Sequence, residues 1–317
     1  MMTLSLLLVA LASVDAVAAA TTKFERIFLR VFLRENSYRD APVASVSDLI
    51  PHFDINKKTV FYIHGFSESV NSSSVMTIVS AYLKRDDHNV VAIDWSELAA
   101  GNYMEVISHV EEVGNSISRG INELVKGGIS PLRIHVVGHS MGAHVAGNVG
   151  RKIGFLLPRI TGLDPAGPFF NFFNERLTRS DAKLVDIIHT DAGFYGIARP
   201  SGTVEFWPNG GTRLQPGCPS NSRVYTKEDF CSHHRSYVYY AESLLNENAF
   251  LSTECSSESG TFERNGNGKS IPMGYATPPD TIGSYCLVTG TKEPFGLAAK
   301  GELQAPDPTS QLLPIAS

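Results

Sequence analysis

The stretch Ile134-His135-Val136-Val137-Gly138-His139-Ser140-Met141-Gly142-Ala143-His144 decides how this chain is read. An apolar, β-branched run leads into a Gly-x-Ser-x-Gly turn, and small residues follow it. The run fits a buried strand, and the small residues open a helix. A serine in the turn between them is held at the end of a sheet with its hydroxyl pointing away from the core. The flanking glycines are required because the chain doubles back where a Cβ has no room. At the head of the helix, the N–H of Met141 faces any anion formed at the serine. Ser140 is therefore a candidate nucleophile, and the rest of the sequence must supply its partners.

The chain has 317 residues and a formal net charge of −5. That length gives ample material for a core. The charge leaves no basic footprint, so nucleic acid is not an expected partner. Leu4 to Ala12 is apolar and runs into an Ala-rich stretch ending at Ala20. It is too short to span a bilayer and reads as a secretory signal over residues 1–20. The expected location is thus extracellular. The four cysteines, Cys218, Cys231, Cys255 and Cys286, then indicate two disulfides with three possible connectivities, of which sequential pairing closes the shortest loops. Asn71-Ser72-Ser73 is the glycosylation sequon.

Arg26–Leu33 suits an early strand, and Thr59–Phe66 is a buried strand entering a glycine turn. A helix fits residues 74–85, and Val90–Trp95 is a third strand. Val106, Val110, Val113, Ile117, Ile121 and Leu124 recur at helical spacing, with Gly127-Gly128 as the stop. Arg159–Leu163 and Lys183–His189 are further strands; Gly260–Gly268 reads as a polar turn, and Ser284–Thr289 as a last strand. Strands alternating with helices make this an α/β protein with a mostly parallel sheet covered on both faces. Functional groups in such folds collect at the carboxyl ends of strands. His64, Asp94, Ser140 and Asp164 all fall just past one. We expect one catalytic domain over residues 21–299 and a loose tail over 300–317.

A serine hydroxyl needs a base, and the base needs an orienting group. Asp164, in Thr161-Gly162-Leu163-Asp164-Pro165-Ala166-Gly167-Pro168, ends a strand and is the favoured acid over Asp181, Asp186 and Asp191. Asp186 lies within an apolar strand, where it pairs or faces solvent, and Asp191 reads as a turn cap. His189, His233 and His234 are candidate bases. His189 closes a strand too early, and between His233 and His234, ahead of a helix over 235–245, the side-chain chemistry is neutral. An oxyanion hole needs two N–H donors. Met141 offers one, and Phe66 the other, because Gly65 lets the backbone approach.

These motifs together resemble the pancreatic lipase family of α/β hydrolases. The matching stretches are Ile63-His64-Gly65-Phe66, Ile93-Asp94-Trp95, Val137–His144, Gly162–Pro168, Ile188-His189-Thr190-Asp191, Phe206–Gly211 and Cys231–Ser236. The resemblance implies the α/β-hydrolase fold and a triad of Ser140, Asp164 and His233, the histidine two residues after a cysteine and two before an arginine. It also implies Phe66 and Met141 as oxyanion donors. Cys218–Cys231 becomes the disulfide bracketing a lid, which leaves Cys255–Cys286 as the second bond. The lid, Pro219–Phe230, and the neighbouring loop, Ala192–Thr203, are short beside the digestive enzymes of the family. The resemblance therefore points to the secreted phospholipase A1 branch of arthropod type, with triacylglycerol lipase or general carboxylesterase as the alternative and a non-catalytic lipid binder as a remote one. Phe194, Tyr195, Ile197, Val224, Tyr225 and Phe230 are candidates for an apolar mouth. Of the family's calcium positions, Arg176 and Asp181 match, but Phe173 and Thr178 stand where carboxylates belong. No metal and no cofactor are expected. Nor are a C-terminal β-sandwich domain or a colipase-type partner; the expected state is a monomer acting on lipid at a membrane or micelle surface.

Overall fold

A computed structural model describes residues 26–170, 176–258, 261–264 and 270–298. The expected signal segment, the tail over 300–317 and Phe173 lie outside the described residues. The strands are β1 (Phe28–Arg34), β2 (Ser37–Pro42), β3 (Lys58–Ile63), β4 (His88–Asp94), β5 (Ile134–His139), β6 (Arg159–Leu163), β7 (Leu184–Ile188), β8 (Val204–Pro208), β9 (Leu251–Glu258), β10 (Thr261–Arg264), β11 (Ile271–Pro272) and β12 (Gly283–Leu287). The principal helices are α1 (Ser73–Arg85), α2 (Tyr103–Lys126), α3 (Met141–Lys152) and α4 (Cys231–Leu245).

The sheet runs β10-β9-β12-β8-β7-β6-β5-β3-β4-β1-β2, with β11 paired to β9. From β12 to β4 every neighbouring pair is parallel, and the antiparallel strands lie at the two edges. This is the α/β-hydrolase arrangement expected from the sequence. The central strands carry apolar side chains on both faces because both faces are covered. Phe61, Ile63, Val91 and Val136 enter one core with α2 and α3. Val60, Tyr62, Val90 and Val137 enter the other with α1 and α4. The expected strands and helices are present, with bounds shifted by a few residues. Two readings are corrected. Part of the segment expected as a polar turn forms β10 against β9, because pairing to an existing edge requires no apolar pattern. The helix expected from Arg235 begins instead at Cys231, so His233 and His234 sit in its first turn rather than on a preceding loop.

The core also holds polar groups, and two of them are tied down by several bonds. Asp186, on β7, grips Arg159 through two contacts of 2.7 and 2.8 Å and accepts from Thr161 Oγ1. Of the readings offered for Asp186, pairing holds. His144, fully buried on α3, accepts the N–H of Leu177 at Nδ1 (3.0 Å) and faces the carbonyl of Ala166 at Nε2 (2.7 Å). That pattern requires the neutral ring with its proton on Nε2. Burial, opposed by the Ala166 bond, holds the His144 pKa down at about 4.

An unfolded histidine titrates near 6.5. Between that value and about 4 the unfolded chain binds a proton at His144 that the native chain refuses. The stabilisation is complete above 6.5 and is lost as pH falls through this window, with a slope of up to about 1.4 kcal/mol per pH unit. Urea unfolding followed from pH 7 to pH 4 should show it, and His144→Gln should flatten the slope. An unchanged slope in that variant would contradict the assignment.

Candidate active site

β5 ends at His139, and the next residue, Ser140, has φ 53° and ψ −123°. A non-glycine residue there is strained and persists only where the surroundings impose it. They do: Ser140 N–H donates to the carbonyl of Leu163 (3.0 Å), at the end of the neighbouring strand β6. A Cβ on Gly142 would strike the carbonyls of Ile63 and His64, and one on Gly138 would strike the carbonyl of Gly142. The turn is therefore wedged between two strand ends, with α3 starting immediately at Met141.

β6 delivers the candidate acid. Asp164 is fully buried. Its Oδ1 accepts the N–H groups of Thr190 (2.8 Å) and Asp191 (3.1 Å), and its Oδ2 faces His233 Nδ1 at 2.6 Å. A carboxylate fixed at one oxygen by backbone N–H groups can orient an imidazole and hold its tautomer with the other. His233 is 4 % exposed, and its ring lies 4.8 Å from that of His139, the residue before Ser140. His234 points elsewhere: it stacks on Phe230, and burial, with the neighbouring His139 and His233, lowers its pKa to about 3. Of the two adjacent histidines, His233 is the one that pairs with Asp164. His189 is occupied as well, bonded to Glu205 (2.7 Å) and stacked on Trp207.

The turn after β3 approaches from the other side. A Cβ on Gly65 would lie 3.0 Å from Ser140 Cβ, which makes glycine the residue that fits. Among the described residues the N–H of Phe66 donates to no acceptor, and the Phe66 ring packs edge-on against Tyr103. Met141 N–H, in the first turn of α3, has no intrahelical partner by construction. Both expected donors are thus on segments that meet at Ser140.

Next to this site is the loop closed by Cys218–Cys231, whose last residue, Phe230, has its ring 6.3 Å from that of His233; Cys255–Cys286 is the second disulfide, so the sequential pairing holds. Asp229, at the end of the loop, is the anchor. Its Oδ2 accepts from Tyr195 Oη (2.5 Å) and from Tyr225 N–H, and its Oδ1 from Arg213. Arg213 in turn grips Asp191 through two contacts of 2.7 and 2.8 Å. Asp191 is therefore an ion-pair partner rather than a turn cap, and burial raises its pKa to about 6 despite the Arg213 bonds. Sequence reading missed Arg213 and Asp229, since neither sits in a motif with a spacing rule. Of the expected apolar mouth, Phe194, Val224 and Tyr225 are exposed, Tyr195 stacks on Phe230, and Ile197 is buried packing. Asn71 is exposed, as a glycosylation acceptor must be, and Arg30 donates to its side chain. Asp181 is taken up by Arg151 and Thr178.

The family model for Lipase matches residues 10–295. The chain belongs to the lipase family. It is 34 % identical over 252 residues to pancreatic lipase-related protein 2 of Cavia porcellus, covering 75 % of this chain and 56 % of that protein. Identity to the pancreatic triacylglycerol lipase of Sus scrofa is also 34 %, over 73 % of this chain and 56 % of the relative. The human pancreatic triacylglycerol lipase is 35 % identical over 70 % of this chain and 52 % of its own length. The chain thus spans about half the length of these curated relatives. Membership of the pancreatic lipase family, read from motifs alone, holds; the arthropod branch is not distinguished by these relatives.

Asp229 is the pin of the loop, and Tyr195 holds it through one hydroxyl. Tyr195→Phe keeps the ring stacked on Phe230 and removes that bond, a loss of about 1 kcal/mol. Trypsin cleavage after Arg223 or Lys227, read on reduced gels, should become several-fold faster while global unfolding barely shifts. Equal cleavage rates in both proteins would contradict the latch.

Proposed function

We propose that this lipase-family chain hydrolyses carboxylic esters of lipids through an acyl-enzyme, with Ser140 as nucleophile, His233 as base and Asp164 as orienting acid. The observation that carries this reading is the pairing of His233 with a buried, doubly bonded Asp164 beside a serine locked in a strained strand-to-helix turn. His233 takes the hydroxyl proton through Nε2 as Ser140 attacks the ester carbonyl. Asp164 keeps the Nδ1–H tautomer and stabilises the imidazolium that forms. The tetrahedral oxyanion forms against the N–H groups of Phe66 and Met141, each worth roughly 3 kcal/mol in comparable sites. His233 returns the proton to the leaving alkoxide. Water, deprotonated by the same imidazole, then attacks the acyl carbon; the acyl–Oγ bond breaks, the acid leaves and the imidazolium returns its proton to Ser140 Oγ.

The substrate reading is phospholipid, cleaved as by a phospholipase A1, at an extracellular lipid surface. Its support is the short loop from Pro219 to Phe230 pinned at Asp229: it leaves limited apolar cover for a three-chained neutral lipid and room for a polar head group. Exposed Phe194, Val224 and Tyr225 offer apolar contact with the lipid. The competing reading, triacylglycerol hydrolysis, is favoured by the names of the relatives.

Ser140→Ala should lower turnover of phosphatidylcholine vesicles about 10⁴-fold or more without loss of folding. Wild-type enzyme should release fatty acid and 2-acyl lysophospholipid from phosphatidylcholine faster than it releases fatty acid from a triglyceride emulsion. The reverse preference would move the assignment to triacylglycerol lipase; undiminished turnover by the alanine variant would remove the enzyme reading altogether.

A further inference from the structure

Glu68 belongs to no motif used above, yet it touches both halves of the site. One oxygen, Oε2, accepts the N–H of Gly65 at 2.7 Å and lies 3.2 Å from Nδ1 of His139. Gly65 belongs to the turn carrying Phe66; His139 immediately precedes Ser140. The side chain is only 18 % exposed, and its partner imidazole 2 %. The two oxyanion donors lie on separate segments of chain, and this single atom joins those segments.

The orientation of the Phe66 N–H follows from the same contacts. The Gly65 carbonyl faces His64 Nδ1 at 3.0 Å and accepts the Glu68 N–H at 3.4 Å. In a planar trans peptide the N–H points opposite to the C=O. With that carbonyl fixed, the Phe66 N–H of the same peptide is turned the other way. The peptides on either side are held too, by Glu68 Oε2 on Gly65 N–H and by the Ala99 carbonyl on Ser67 N–H (2.8 Å). Burial works against the charge on Glu68, but the attraction and hydrogen bond of His139, with the Ser74 hydroxyl and His64, together keep the carboxyl well below the usual range. His64 of the same turn, His234 and Tyr237 of α4 and Tyr62 of β3 also face it.

We infer that Glu68 is a positioning residue for the oxyanion hole, its Oε2 fixing the Gly65–Phe66 turn against the nucleophile elbow through Gly65 N–H and His139. The inference rests on the ester-hydrolase reading of Ser140. Glu68→Ala frees the turn; Glu68→Gln keeps an oxygen that accepts from Gly65 N–H and so serves as the rescue. Both are tested in the full chain on a water-soluble short-chain p-nitrophenyl ester and for affinity toward an alkyl trifluoromethyl ketone, whose adduct carries the oxyanion. Glu68→Ala should lower kcat roughly tenfold to a hundredfold with KM nearly unchanged, and weaken the ketone by a similar factor. Glu68→Gln should stay within about threefold of wild type in both. Wild-type kcat and ketone affinity in Glu68→Ala would overturn the inference, as would an equal loss in the two variants. Turnover that survives Ser140→Ala would instead overturn the ester-hydrolase reading, and this inference with it.

Discussion

The left-handed backbone at Ser140 is the constraint on which the molecule is built. A serine at φ 53° costs on the order of 1–3 kcal/mol, and it is held only because β3, β5 and β6 are parallel neighbours in register. That register puts the carbonyls of Ile63, His64 and Leu163 where the turn must pass, and only glycine at 138 and 142 lets it through. The same parallel order brings the ends of β3 and β6, with Gly65 and Asp164, to either side of the hydroxyl. Sheet packing thus does the positioning: two buried layers keep the strands in place, and the strand ends carry the chemistry.

Charge is distributed so that each carboxylate near the site has one task. Asp164 spends its acceptors on two backbone N–H groups and His233. Asp191, its neighbour, is neutralised by Arg213, which also holds Asp229. Without Arg213, Asp191 would be a second buried anion beside Asp164, and like charges that close oppose one another's ionisation. The guanidinium therefore links the electrostatics around Asp164 to the end of the Cys218–Cys231 loop. Glu68 stands on the other flank, 3.2 Å from Nδ1 of the elbow's own histidine, His139.

The strands from β3 to β7 and the long helices were legible because burial on both faces, or along one stripe, leaves an apolar signal; β8, buried between β7 and β12, was not read as a strand. Val106 to Leu124 is such a stripe, and it lies in the core as read. The edges were not: β2, as Ser37–Pro42, is mostly exposed, and β10 forms on a partner strand rather than on a pattern of its own. The elbow could be read because glycines at fixed offsets have a steric cause. His233 needed either the family pattern or the coordinates, since adjacent histidines differ only in which way the first turn of α4 points them. Arg213, Asp229 and Glu68 left no sequence signal, because ion pairs and backbone caps between remote segments carry no spacing rule.

The convergence of three chain segments at one hydroxyl is tested most directly by the site and rate of covalent capture. A fluorophosphonate applied to the wild-type protein, with adduct mapping by mass spectrometry, should modify Ser140 stoichiometrically, and His233→Ala or Asp164→Ala should slow that reaction by orders of magnitude. Modification at another residue, or an undiminished rate at Ser140 in the histidine variant, would contradict the account.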